Sequence, residues 1–157
     1  MKAKFPASIL IAVICVSGLS AMAAADDGAK CRQVSGTIAA NLTSGNTAQG
    51  TVTGGLRGSV TASFTTTPQS NGNIALSLHH LFVTESGDTL TTQDNGMLVP
   101  VPDSPGVYRM MVQYTITGGA GKFSGATGAL MNHGEAVLSS TPAQLTLRYA
   151  GHVCAAR

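Results

Sequence analysis

The chain has 157 residues, which is enough for one domain and short for two. Charged residues make up 10% and aromatic residues 4%, with no tryptophan, whereas there are 19 glycines and 18 threonines. This composition disfavours helices, coiled coils and collagen, and it is typical of a threonine-rich β-sheet with many glycine turns. Seven basic and seven acidic residues follow position 25, with no basic cluster among aromatic residues, so nucleic acid is not an expected partner.

The first 25 residues have the three parts of a secretory signal peptide. Lys2 and Lys4 precede a short apolar run (7–19), and small residues in 21–25 offer cleavage sites before Asp26. A retained membrane anchor is the alternative, but the apolar run is near the short limit for spanning a bilayer. We therefore expect cleavage after residue 25, with residue 23 as second choice, and export to the periplasm or the medium without membrane attachment. Residues 26–157 then form a single domain.

Export gives two of the cysteines a structural meaning, because an oxidising compartment favours disulfide bonds. Cys15 belongs to the leader, so Cys31 and Cys154 remain, near the two ends of the domain. We expect an intramolecular disulfide between them, with free thiols or an intermolecular link as alternatives. Such a bond requires the first and last strands to be neighbours, which a closed barrel provides.

Apolar residues that alternate with polar ones, separated by turn residues, predict a chain made of strands. The predicted strands are 34–42, two within 51–67 on either side of its glycines, 74–85, 89–101, 107–117, one or two within 122–138, and 144–154. They number about eight, and no helix is expected after the leader. We predict an all-β fold, namely a single antiparallel closed β-barrel of eight strands, with a β-sandwich as second choice.

The glycine-rich run 114–130, YTITGGAGKFSGATGAL, is the most specific pattern after the leader. It resembles the GGTGxFxGAxG segment of exported proteins with an allene oxide cyclase/dirigent-like barrel, and 89–99 and 149–153 are similar to flanking segments of bacterial members. The resemblance implies an eight-stranded antiparallel barrel with an apolar cavity for small apolar molecules, and homo-oligomers, typically trimers or dimers. It implies no catalytic residue, because the catalytic carboxylates and arginines of the plant relatives have no counterparts at matching positions.

The apolar parity of the strands indicates which side chains face the barrel interior. Five of them are candidates for contact with a ligand, namely His80, Phe82, Tyr108, Met110 and Tyr114. The histidine and the tyrosines also carry polar groups that orient a ligand or move a proton. The alternative is that these side chains simply fill a small barrel.

The remaining polar residues predict no catalytic residue, metal or cofactor. His79 and His80 point to opposite faces of a strand, and His133 and Glu135 share a face without a third metal ligand. Four acidic residues are expected to be solvated at strand ends and turns, namely Glu85, Asp88, Asp94 and Asp103. The expected function is binding of a small apolar molecule inside the barrel. The alternatives are an isomerase or cyclase acting on such a molecule, and a packed structural or protein-interaction barrel.

Overall fold

A computed structural model of the protein describes residues 30–43 and 45–155, which form a closed barrel of eight antiparallel strands. The strands are β1 (Lys30–Leu42), β2 (Thr47–Val52), β3 (Gly58–Pro68), β4 (Ile74–Thr84), β5 (Thr89–Pro100), β6 (Val107–Ala120), β7 (Thr127–Val137) and β8 (Gln144–Ala155). Each strand pairs with its neighbours in sequence, and β1 pairs with β8 to close the barrel. The predicted fold class is therefore confirmed, whereas the predicted signal peptide lies outside the described residues.

Side chains alternate between the interior and the solvent because successive residues of a strand point to opposite faces. On β4, for example, Leu78 and His80 are buried, while the adjacent His79 is exposed. The interior positions carry the apolar core, and many outward positions carry threonine, which suits a solvated strand face. No helix in the described ranges is long and apolar enough to cross a membrane.

The β5–β6 pair shows where the strand prediction was too short. The predicted strand 107–117 ends at residue 117, but β6 continues to Ala120, which pairs with Thr89. The register shifts between Thr91 and Thr92, so that one extra β6 residue, Thr117, is accommodated in a bulge. Thr117 donates a hydrogen bond to the backbone oxygen of Thr91, which steadies this bulge.

The barrel has two different ends. One end, which we call the sealed end, carries the connections β2–β3, β4–β5 and β6–β7, together with the start of β1 and the end of β8. The open end carries the connections β1–β2, β3–β4, β5–β6 and β7–β8. Cys31 and Cys154 face each other in the β1–β8 register and form a disulfide at the sealed end, which confirms the predicted pairing.

Two single turns of 3-10 helix close the sealed end. Turn η1 (Gly54–Leu56) inserts Leu56, and turn η2 (Gly121–Phe123) inserts Phe123, and these side chains are 0% and 1% exposed. Because each large side chain lies inside the rim of the barrel, this half of the interior is filled.

Hydrogen bonds from the barrel wall hold η1 in place. The Tyr149 hydroxyl accepts a hydrogen bond from the backbone N–H of Leu56 (3.0 Å) and donates one to the carbonyl of Thr53 (2.7 Å). Gly36 permits this close approach, since a Cβ atom there would lie 2.0 Å from the Thr53 oxygen. The hydroxyl is thus fully used, and burial raises the pKa of Tyr149.

An acidic side chain holds η2 in a similar way. Asp88 accepts hydrogen bonds from the Ser86 hydroxyl and from the backbone N–H of Lys122, and the Lys122 ammonium lies 2.9 Å from its carboxylate. These contacts, the Ser86 bond first, hold the pKa of Asp88 well below its usual range. Gly121 is required at the start of the turn, because it has a positive φ of 64° and a Cβ atom there would lie 2.0 Å from Asp88 Oδ1.

Candidate functional site

A cavity of about 120 Å³ occupies the half of the barrel next to the open end. Its lining is almost entirely aliphatic, and its polar members are Thr66, His80 and Tyr114. Thr66 is exposed at the rim, where half-buried side chains of Phe64, Leu138 and others surround the opening. We call His80 and Tyr114 the floor of the cavity, because they lie where the lining meets the filled half.

Small side chains on several strands create this space. Four alanines line it, namely Ala40, Ala48, Ala62 and Ala136. Sites for drug-sized ligands measure about 300–1,000 Å³, whereas an apolar cavity of about 150 Å³ holds one benzene molecule. The cavity therefore has room for one ring or a short chain.

A buried carboxylate lies behind the floor. Asp94, on β5, is 0% exposed and its Oδ2 atom lies 2.6 Å from Nδ1 of His80. The same oxygen accepts a hydrogen bond from the Thr92 hydroxyl (2.7 Å), and Oδ1 accepts one from the backbone N–H of Thr115 (3.2 Å). Three donors thus replace the water that a buried carboxylate loses.

The contact with Asp94 fixes how His80 presents its ring to the cavity. A carboxylate accepts hydrogen bonds, so Nδ1 carries a proton and Nε2 is the other polar atom of the ring. No described residue bonds to Nε2. Among the described side chains, only Oδ1 of Asn132 is both fully buried and without a partner. The Nε2 atom is therefore not fully buried, and His80 is one of the residues that line the cavity.

Aromatic rings pack around the imidazole and limit its movement. The His80 ring lies 4.7 Å from that of Tyr114 and is stacked on Phe82 with a centroid distance of 5.9 Å. Phe82 is itself 0% exposed and contacts Tyr114 edge to face. With Asp94 behind it and two aromatic rings beside it, the imidazole is held in one orientation.

A second polar pair lies beside the floor. The Asn132 side-chain amide, on β7, donates a hydrogen bond to the Tyr114 hydroxyl, and both residues are almost completely buried. Burial raises the pKa of Tyr114, the Asn132 hydrogen bond partly opposes this rise, and the charge of Asp94 adds a smaller rise. Tyr114 is therefore a neutral phenol at physiological pH, and Oδ1 of Asn132 is left without a donor.

The five predicted ligand contacts do not lie together. His80, Met110 and Tyr114 line the cavity. Phe82 fills the barrel on the other side of His80, and Tyr108 is half-buried against the core without lining the cavity. In this barrel some interior aromatic residues fill space and others border the cavity.

Two polar residues of the site were not predicted. Asp94 was expected to be solvated at a strand end, and this was wrong. Asp94 lies in the middle of β5 and is completely buried, and its carboxylate has hydrogen bonds with His80, Thr92 and Thr115. Asn132 was not considered. The signal that identifies both is parity, since Asp94 alternates in phase with Leu90 and Leu98.

The described residues contain no group of three or more histidine, cysteine, aspartate or glutamate side chains that could hold a metal ion. Comparisons of the chain with protein-family models, with curated proteins and with solved structures found no match. The resemblance to allene oxide cyclase/dirigent-like barrels stays a prediction, and the candidate site stands on its own geometry.

Proposed function

We propose that the protein is exported and that it binds a small apolar molecule in the cavity of the open half of the barrel. The observation that carries this proposal is the contrast between a filled half and an unfilled half of one barrel interior. Protein interiors are close-packed, and side chains that border a void lose dispersion contacts. Four alanines at the cavity wall maintain this costly space, which a ligand would fill.

The size of the cavity sets the affinity that this proposal expects. The binding free energy of small ligands is between about −0.3 and −1.5 kcal/mol per non-hydrogen atom. Near the middle of that range, a ligand of about eight such atoms binds with a Kd between roughly 1 mM and 1 μM. Weak, reversible binding of an abundant molecule fits the site better than tight storage of a large one.

Two observations support export. The Cys31–Cys154 disulfide is typical of an oxidising compartment, and the pattern of residues 1–25 is that of a secretory signal peptide. Mass spectrometry of the protein recovered from its own cell, without reductant, tests both the cleavage after residue 25 and the disulfide. The same spectrum under non-denaturing conditions tests homo-oligomers and any bound small molecule.

Xenon and benzene are suitable probes of binding, because both enter apolar cavities. We expect saturable NMR shifts of the methyl groups of Leu78 and Leu147, which line the cavity. The variant Ala62→Leu should fill part of the cavity and weaken benzene binding about tenfold. The matched control Ala39→Leu lies on the exposed face of β1 and should bind benzene as the original protein does. Shifts that do not saturate, or equal binding by both variants, would refute the proposal.

The His80–Asp94 pair favours a second candidate function, an isomerase that moves a proton within a small apolar substrate. An imidazole oriented by a carboxylate is a common general base, and His80, whose Nδ1 contacts Asp94, lines the cavity. The test is exchange of the α-hydrogens of cyclohexanone in D₂O. Exchange faster than the buffer rate that disappears in His80→Gln supports catalysis, and exchange at the buffer rate leaves binding as the function.

A further inference from the structure

We propose that the ligand of this cavity carries one hydroxyl group, which binds Nε2 of His80 at the floor, so that the ligand class is small aliphatic alcohols. This inference rests on the proposed function, since it names the chemistry of a molecule bound in the cavity. His80 is one of two polar residues at the inner end of the cavity, and its Nε2 atom has no hydrogen-bond partner among the described residues.

His80 lines the cavity, and its Nε2 atom has no hydrogen-bond partner among the described residues, whereas Nδ1 lies 2.6 Å from Oδ2 of Asp94. A purely apolar ligand would cover Nε2 and exclude water from it, and a buried polar group without a partner is destabilising. A ligand that brings one polar group to this depth avoids that loss.

A hydroxyl is the polar group that fits Nε2 of His80 best. A hydroxyl both donates and accepts, so it pairs with Nε2 of a neutral imidazole and also with the N–H of an imidazolium. A carbonyl only accepts and fits only the second state. A carboxylate would place a second negative charge on the imidazole that contacts Asp94, and the cavity lining contains no lysine or arginine to offset it.

The walls and the volume of the cavity limit the hydrocarbon part of the ligand. The walls are mainly leucine, isoleucine, valine and alanine side chains, and the volume is about 120 Å³. Such walls offer dispersion contacts without the flat, paired surfaces that hold an extended aromatic system. One saturated ring or a short branched chain, with its hydroxyl directed inward, matches both the volume and the unpartnered Nε2 atom of His80.

The experiment compares two molecules of nearly the same shape, cyclohexanol and methylcyclohexane, the latter delivered through the vapour phase. The direct observable is the ¹⁵N NMR signal of the His80 ring in the original protein. We expect cyclohexanol to shift the Nε2 resonance far more than the Nδ1 resonance, and methylcyclohexane to leave both nearly unchanged. Equal effects of the two molecules on Nε2, with both bound, would overturn the inference and leave the proposed function intact. Binding of neither molecule would overturn both.

Affinities of two variants complete the test. His80→Leu removes Nε2. We expect this variant to bind cyclohexanol about tenfold more weakly, and to bind methylcyclohexane equally well or better. His79→Leu is the matched control, because His79 is exposed on the outer face of the same strand, and both affinities should be unchanged. An equal loss of both ligands in a folded His80→Leu protein would show that His80 only shapes the cavity. If His80→Leu does not fold, the ¹⁵N comparison in the original protein decides the question.

Discussion

The sealed and open ends of the barrel are built from the same strands and have the same kind of apolar interior, yet the interior is filled at one end and keeps a cavity at the other. At the sealed end, Leu56 and Phe123 are inserted by 3-10 turns, which Tyr149 and Asp88 hold by hydrogen bonds. At the open end a cavity remains, and half-buried side chains such as Phe64 and Leu138 border it. The difference shows that an eight-stranded barrel of this composition can be filled, so the cavity is a property of particular residues rather than of barrel geometry.

A layer of buried polar side chains separates the two halves. It consists of His80, Thr92, Asp94, Tyr114 and Asn132, all at most 6% exposed. Buried polar groups of this kind are often no more stabilising than apolar residues of the same shape. The proposed binding function gives this layer a second role, because its hydrogen bonds orient His80, the residue proposed to bind the ligand.

The largest expected effect comes from removing the disulfide of the sealed end. Cys31 and Cys154 are separated by 123 residues, and in the chain-entropy model a loop of that length is worth about 5 kcal/mol. We expect Cys31→Ser/Cys154→Ser to lower the free energy of unfolding by about 4–5 kcal/mol in chemical denaturation. Benzene affinity of the folded protein should stay within about twofold, because the cavity lies at the other end. A parallel loss of affinity would show that the two ends are not independent.

A matched pair of leucine truncations compares the ends directly. Leu56→Ala removes a side chain that is 0% exposed, and a fully buried leucine of this kind costs about 3 kcal/mol or more. Leu145→Ala acts at the half-buried rim of a space that is already open, so we expect a loss below about 1 kcal/mol. Thermal and urea unfolding measure both values. Equal losses would mean that the open end is packed as tightly as the sealed end.

The polar layer should give a smaller effect. Tyr114→Phe removes the hydroxyl that accepts from Asn132, whose Oδ1 already lacks a partner, and we expect a loss of about 2 kcal/mol. The double variant Tyr114→Phe/Asn132→Leu removes both polar groups and should recover about 1 kcal/mol of that loss. Tyr108→Phe is the control, with a change below about 0.5 kcal/mol, because Tyr108 is half-buried and has no hydrogen-bond partner among the described residues. A double variant less stable than Tyr114→Phe would contradict this account.

Local patterns predicted the barrel well, because period-two alternation and turn residues are encoded within each strand. The same alternation placed His80, Met110 and Tyr114 inside. The alternation also places Asp94 inside, but a carboxylate is expected to be solvated, and its burial depends on donors from other strands, such as the backbone N–H of Thr115.

The difference between the two ends could not be predicted at all from local patterns. It depends on long-range contacts such as the hydrogen bond between Leu56 and Tyr149, which are 93 residues apart in the chain. Which connection folds inward is decided by such pairs, and a single sequence shows no spacing that identifies them.

At the sealed end, the contribution of Asp88 to the stability of the folded protein depends on pH. Contacts with Ser86 and Lys122 lower the pKa of this carboxyl in the folded protein. A lowered pKa contributes stability that is fully present above the unfolded value, near 4, and is lost as the pH falls from there towards the folded pKa. Between pH 5 and pH 2, the Tm of the original protein should therefore fall more steeply than that of Asp88→Asn. Ser86→Ala removes the largest contribution to the shift and should give an intermediate slope. The Asp88 side chain is 19% exposed and that of Lys122 is 46% exposed, so solvent screens the pair and the effect is small. Parallel Tm curves for the three proteins would show that η2 is held by the packing of Phe123 alone.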